Sequence, residues 1–135
     1  LSKVKFEDYT LEVMEVIDNQ INATLEECAG EIESQTKQNS RVDTGQTKNS
    51  FQHKVVESEH VAYIGSNHEN AIWEEFGTGE FALEGNGRKG GWFYKDAEGN
   101  GHFTMGKKPS RAFWNAYNSL KKAVTDKLQN ALKGL

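Results

Sequence analysis

LEVMEVIDNQINATLEECAGEI, residues 11–32, decides what kind of body this chain can form. Apolar side chains recur at Leu11, Met14, Ile17, Ile21, Leu25, Cys28 and Ile32, in steps of three and four. That spacing gathers them on one face of an α-helix, where a strand would alternate them between two faces. The pattern predicts a helix over residues 6–38, on the order of 45–50 Å long at about 1.5 Å per residue. A chain of this size makes a body only about 30 Å across, so a straight helix overhangs its own core. Gly30 is the one residue inside it suited to a bend; without a bend, the overhang calls for a partner.

What leaves this helix is Gln38-Asn39-Ser40-Arg41-Val42, and then Asp43-Thr44-Gly45. The triplet is the signature of aspartic proteases, so a homodimeric protease with one Asp43 per subunit is a reading to test. Such an enzyme needs two carboxylates sharing one proton, each on a tight loop inside a β-rich body. A polar helix exit is the wrong approach to that loop. Asp43 reads better as a brace, a cap for a short helical turn with Gln46 three positions on, while Gly45 permits close approach or an unusual dihedral.

Beyond the triplet, Phe51–Val56 and His60–Ile64 read as two short strands joined through Glu57-Ser58-Glu59. Ala71-Ile72-Trp73-Glu74-Glu75-Phe76 reads as a helical turn stopped by Gly77 and Gly79. Most of the 13 glycines follow, between Gly77 and Gly106. Within that stretch, residues 92–95 and 102–105 form a second hairpin, and 81–91 is the segment expected to be most mobile. Pro109 precedes a final helix over residues 110–133, with Ser110 placed to cap it. The expected class is α+β: one domain over residues 1–135, with a long helix, a small antiparallel sheet of about four strands, and a C-terminal helix packed on the sheet.

Composition fits a modest private core, since the hydrophobic fraction is 36% and the mean hydropathy −0.76. The net charge is −4, but its signs are segregated. Every charge from Glu7 to Glu33 is negative, whereas from Lys107 onward Asp126 is the one acid among seven bases. The two ends should therefore attract each other, within one subunit or between neighbours. One cysteine, Cys28, excludes an internal disulfide and fits a reducing compartment. No run approaches the roughly 20 apolar residues a membrane span needs, and the opening residues lack a signal-peptide pattern. A soluble intracellular product is expected; because the chain opens on Leu, a short piece can precede it.

Other chemical motifs fail on context. Gly85-Asn86-Gly87-Arg88-Lys89-Gly90 has the letters of a dinucleotide loop but opens onto a strand, where pyrophosphate needs a helix N-terminus. His53, His60, His68 and His102 lack metal-ligand spacing, so no metal and no cofactor are expected. Glu74 and Glu75 point about 100° apart on a helix and do not converge on a substrate. Arg111, Lys121 and Lys122 on the basic C-terminal helix leave nucleic-acid binding as an alternative function. The aromatic and charged set around the glycine-rich stretch, with Trp73, Phe81, Leu83, Arg88, Lys89 and Trp92, is the candidate protein interface.

Three segments together carry a resemblance. Val42-Asp43-Thr44-Gly45 with Asn49-Ser50-Phe51, then Trp73-Glu74-Glu75-Phe76-Gly77-Thr78-Gly79, then Pro109-Ser110-Arg111-Ala112-Phe113-Trp114-Asn115-Ala116 resemble, in order and spacing, blocks of the small tail-completion or head–tail joining proteins of long-tailed bacteriophages and prophages. The resemblance spans about residues 29–124. It implies a non-enzymatic virion part in the neck or tail, assembled in the host cytoplasm as a homo-oligomeric ring. A hexamer is the expected ring, set between head–tail connector or stopper proteins and tail terminator or tube proteins, with DNA passage through its lumen and no membrane. It also implies that Asp43, Thr44, Gly45 and Ser50 brace the turn into the sheet. Glu75, Phe76, Gly77, Thr78 and Gly79 would shape the second turn, and Pro109, Phe113 and Ala116 would seat the last helix.

Overall fold

A computed structural model describes residues 5, 7–41 and 45–134. The first helix, α1, runs Thr10–Asn39 without interruption. Gly30 does not break it: a Cβ there would stand 3.7 Å from the His53 ring, so the glycine sits where a strand residue crosses the helix. The helix begins four residues later than its periodicity predicts, where Asp8 Oδ1 accepts the Thr10 amide at 2.9 Å. Next come α2 (Gln46–Asn49), β1 (Phe51–Val56) and β2 (Val61–Ser66), then α3 (Asn70–Phe76), β3 (Trp92–Lys95), β4 (Gly101–Thr104) and α4 (Ala112–Lys133).

This is an α+β fold with a long N-terminal helix, antiparallel strands and a C-terminal helix packed with them. Its four strands form two separate two-stranded sheets, β1–β2 and β3–β4. In the first, Phe51 pairs with Ser66 and Val56 with Val61. In the second, Trp92 pairs with Thr104 and Lys95 with Gly101. A glycine-rich connection of this length lets β3 leave the first hairpin altogether.

The helix α4 lies against α1, with its start tied to the C-terminal end of α1 by Asn39 Nδ2 donating to the Ala112 carbonyl at 3.2 Å. Small side chains permit the approach: Ala112 and Ala116 on α4 and Cys28 and Ala29 on α1 are all buried. Thr24 and Thr36 are buried among them at no polar cost, because each hydroxyl donates to the carbonyl four residues back at 2.8 Å. Lys127 crosses to Glu27 (2.9 Å) and Glu31 (2.5 Å), and these hydrogen bonds push its ammonium above the ordinary lysine range. Attraction between the acidic and basic ends thus operates within one subunit at this point.

The hairpin β1–β2 is held on the opposite flank of α1 by two histidines. His53 Nε2 pairs with Glu26 Oε1 at 2.6 Å and Nδ1 with Glu33 Oε1 at 3.3 Å. Its pKa is raised, chiefly by the hydrogen bond to Glu26, with burial opposing. At the turn, His60 Nε2 pairs with Asp18 Oδ1 at 3.2 Å, and Asn22 Nδ2 donates to the Glu57 carbonyl at 3.3 Å.

The body so formed is open. The accessible surface is 9921 Å² for 15.2 kDa, against about 7,100 Å² for a compact monomer of that mass. Leu11, Met14, Ile72, Trp73, Phe93 and Trp114 are all about half exposed or more. Among the described residues no helix is long and apolar enough to cross a membrane.

Candidate functional site

Two of the three sequence blocks, and the flanks of the other, meet at one junction between α3, the segment 105–111 and the ends of α1 and β1. The junction starts from a problem at the head of α4. Arg111, at the N-cap position, is left-handed (φ 55) and supplies no side-chain cap. Ser110, the expected cap, accepts the Ala112 amide only at 3.4 Å. Glu75 does the work instead: its carboxylate accepts the Phe113 amide at 3.1 Å and the Trp114 amide at 2.9 Å. An anion at this helix N-terminus satisfies free donors and opposes the positive end of the helix dipole.

The neighbouring carboxylate turns elsewhere. Glu74 pairs with Lys107 and, at 3.5 Å, with Arg41 Nη1, an ion pair in which Glu74 Oε2 has no hydrogen-bond geometry. Arg41 Nη2 also donates to the Lys108 carbonyl at 2.8 Å, and the Ser110 amide to the Glu74 carbonyl at 2.7 Å. The two glutamates diverge, each to a structural partner.

The helix α3 stops at Gly77 (φ 77), and the chain then runs against residues 105–107. The Thr78 amide donates to the Lys107 carbonyl at 2.9 Å, the Lys107 amide to Thr78 Oγ1 at 2.9 Å, and the Glu80 amide to the Met105 carbonyl at 2.9 Å. Backbones approach so closely that a Cβ on Gly79 would stand 2.3 Å from the Met105 carbonyl oxygen. Only glycine fits there, and its φ of 60 is one that L side chains rarely adopt.

Ser50 joins the other edge: its hydroxyl donates to the Thr47 carbonyl at 2.6 Å and lies 2.5 Å from Ser66 Oγ. Gly45 is the N-cap of α2 with φ 80, at the position just before Gln46. Asp43 and Thr44, the expected braces, lie outside the described residues, as does the proposed cap at Asp43. Of the residues expected to seat the last helix, Pro109 Cδ packs 2.8 Å from where a Gly77 Cβ would be, Ala116 is buried against α1, and Phe113 lines an apolar groove.

The candidate interface residues divide. Trp73, Arg88 and Trp92 line one open groove of about 820 Å³, with the Arg88 guanidinium 5.6 Å over the Trp92 ring. Phe81, Leu83 and Lys89 fall outside its lining: Lys108 lies over the Phe81 ring, the Leu83 amide donates to the Phe76 carbonyl, and Lys89 pairs with Glu80 at 3.6 Å. The segment 81–91 is tied back by the Gly90 amide on Glu80 Oε1 at 2.8 Å.

Sequence reasoning missed Arg41, Glu74 and Ser66, and it missed the capping by Glu75. Only the position of Arg41 beside the first block hinted at a role; the rest depends on contacts between distant segments. Of the basic set offered for nucleic acid, Arg111 lies over Phe76 and Trp114 and beside Glu75, while Lys121 and Lys122 have no ion-pair partner among the described residues. No metal-binding group of side chains occurs among the described residues.

An α+β body whose blocks serve to lock helix ends together, with wide exposed apolar faces, has the makings of an assembly part. A family model described as "Bacteriophage HK97-gp10, putative tail-component" matches residues 5–77, more than half the chain. The chain belongs to this HK97 gp10-like family of phage tail components. The match takes in the first block and most of the second and ends before the third. No curated protein and no solved structure matches the chain.

Proposed function

We propose that the chain is a tail-completion or head–tail joining subunit, a single domain over residues 1–135 that forms a homo-oligomeric ring without catalysis. The observation that carries this reading is the surface. The chain exposes about 2,800 Å² more than a compact monomer of its mass would. A standard contact covers about 800 Å² per partner, so the excess suits a subunit with two or more neighbours. Ring closure by head-to-tail contacts supplies two of them.

In the virion such a ring, a hexamer in this reading, sits between connector or stopper proteins and the tail terminator or tube, with DNA passing through its lumen. Axial partners would meet the groove of Trp73, Arg88 and Trp92 and the exposed second hairpin, since aromatics favour interface cores. Asp43, Thr44, Gly45 and Ser50 brace the turn into the first hairpin, in a structural rather than a catalytic role. Assembly would take place in the host cytoplasm. Antibody labelling of particles made by the phage or prophage that encodes the chain tests this directly. Label at the head–tail joint is expected; particles carrying none of this chain would overturn the reading.

A further inference from the structure

The core stripe of α1 runs past its cover. Ile17, Ile21, Cys28 and Ile32 face the hairpin and α4, and Leu11 and Met14 continue the same face by steps of three. The hairpin ends where His60 meets Asp18 and Asn22, and Gly134, the C-cap of α4, shares a pocket with Glu12, Val13, Val16 and Ile17. Beyond them Leu11 is 79% exposed and Met14 54%. Acids flank this bare stripe, Glu12 and Glu15 among them, and neither has an ion-pair partner among the described residues.

A complementary surface lies at the other end. Phe51, Ile64, Ile72, Phe76, Phe113 and Trp114 line an open, almost wholly apolar groove of about 460 Å³. Glu75 and Arg111 both line it as an ion pair, Arg111 Nη1 standing 4.0 Å from Glu75 Oε1 while its guanidinium lies over Phe76 and Trp114. The free bases lie further along α4. Lys121 lies two turns along α4 from Trp114 on the same face, exposed and with no ion-pair partner among the described residues, and Lys122 is beside it. The groove sits near Asn39, so bare stripe and groove are separated by most of α1, about 40 Å along the helix axis.

We propose that the first two turns of α1 in one copy dock in this groove of the next copy, with Leu11 and Met14 inward and Glu12 and Glu15 toward Lys121 and Lys122. The occupant is a second copy because this chain itself carries the matching element: an apolar, acid-flanked helix end for an apolar groove with the unpaired bases Lys121 and Lys122 further along α4. Two different surfaces at opposite ends of one molecule make a heterologous contact, which propagates head to tail and closes into a ring when the rotation allows. This contact rests on the ring reading and specifies how neighbours within it touch.

Mass measured by light scattering on the full chain tests it, using Leu11→Asp with Met14→Asp in one variant and Ile72→Asp in another. All three positions are more than half exposed, so helix content and melting should match the wild type. Each variant alone is expected to fall from the wild-type oligomer to the mass of one chain. Their equimolar mixture is expected to double to a heterodimer, because one variant keeps a sound stripe and the other a sound groove. An Ile72→Asp variant that keeps the wild-type mass, or a mixture that stays single, overturns the docking while leaving an oligomer to be explained by another contact. A wild type that is itself a single chain at every concentration overturns the ring reading and the docking with it. Independently of folding, Glu12→Lys with Glu15→Lys should loosen the oligomer and Lys121→Glu with Lys122→Glu should restore it. Failure of that rescue, with the charge-reversed oligomer as stable as the wild type, counts against the docking.

Discussion

The two hairpins of this chain are attached by opposite means. The first, β1–β2, lies along α1 and is fastened by side chains, His53 to Glu26 and Glu33 and His60 to Asp18. In the second, β3–β4, Phe93 is 81% exposed. This hairpin is fastened through backbone, where Thr78 and Glu80 bond to residues 105 and 107 across a gap that Gly79 and Gly106 keep open. Side-chain fastening tolerates substitution and responds to pH. Backbone fastening is broken by a single methyl group.

The sharpest break of that contrast is therefore Gly79→Ala. The added Cβ collides with the Met105 carbonyl and forces an L residue to φ 60, a loss of roughly 3 kcal/mol in chemical denaturation. A variant as stable as the wild type would mean that the close approach is not what holds the second hairpin. Gly77→Val should fail in the same way, since a side chain there meets Pro109, Lys107 and Phe81.

Glu75→Ala comes next, at roughly 2 kcal/mol, because two amides at the head of α4 lose their acceptor. Glu75→Gln keeps one oxygen acceptor and should lose less. Equal losses in the two variants would show that side-chain volume, and not capping, matters at this position.

A smaller effect separates the hairpins by pH. The folded-state pKa of His53 is raised above its ordinary 6.5, first by the hydrogen bond to Glu26. Its contribution to stability is fully present below about 6.5 and drains away as the pH climbs through the elevated value. The melting temperature should thus fall as the pH rises from about 6.5 through the elevated value, and His53→Gln should flatten that fall. An unchanged pH profile in the variant would remove the imidazolium clasp from the first hairpin. The smallest effect is expected at the second hairpin's open face: Phe93→Ser should alter stability by less than about 0.5 kcal/mol, the range for an exposed side chain.

These residues also mark what a sequence can say. The stripe from Leu11 to Ile32 announced α1, and the glycines at 77 and 79 announced the end of α3, because both are local geometry. The four strands were legible for the same reason. Their division into two sheets was not, since pairing depends on where a long connection carries the chain. The cap on α4 was assigned to Ser110, its neighbour in sequence, whereas the acceptor is Glu75, 38 residues before Phe113. Helix caps drawn from distant elements leave no trace in spacing. Acidic and basic ends were seen to be complementary, yet which acid met which base needed the antiparallel placement of α4 on α1, where Lys127 reaches Glu27 and Glu31.

The proposed ring rests on the bare end of α1, the apolar groove and the surplus surface. Native mass spectrometry of the purified protein across a hundredfold range of concentration tests that most directly. A species containing a fixed whole number of copies, persisting on dilution, is the predicted result. A single mass of 15.2 kDa at every concentration would contradict it.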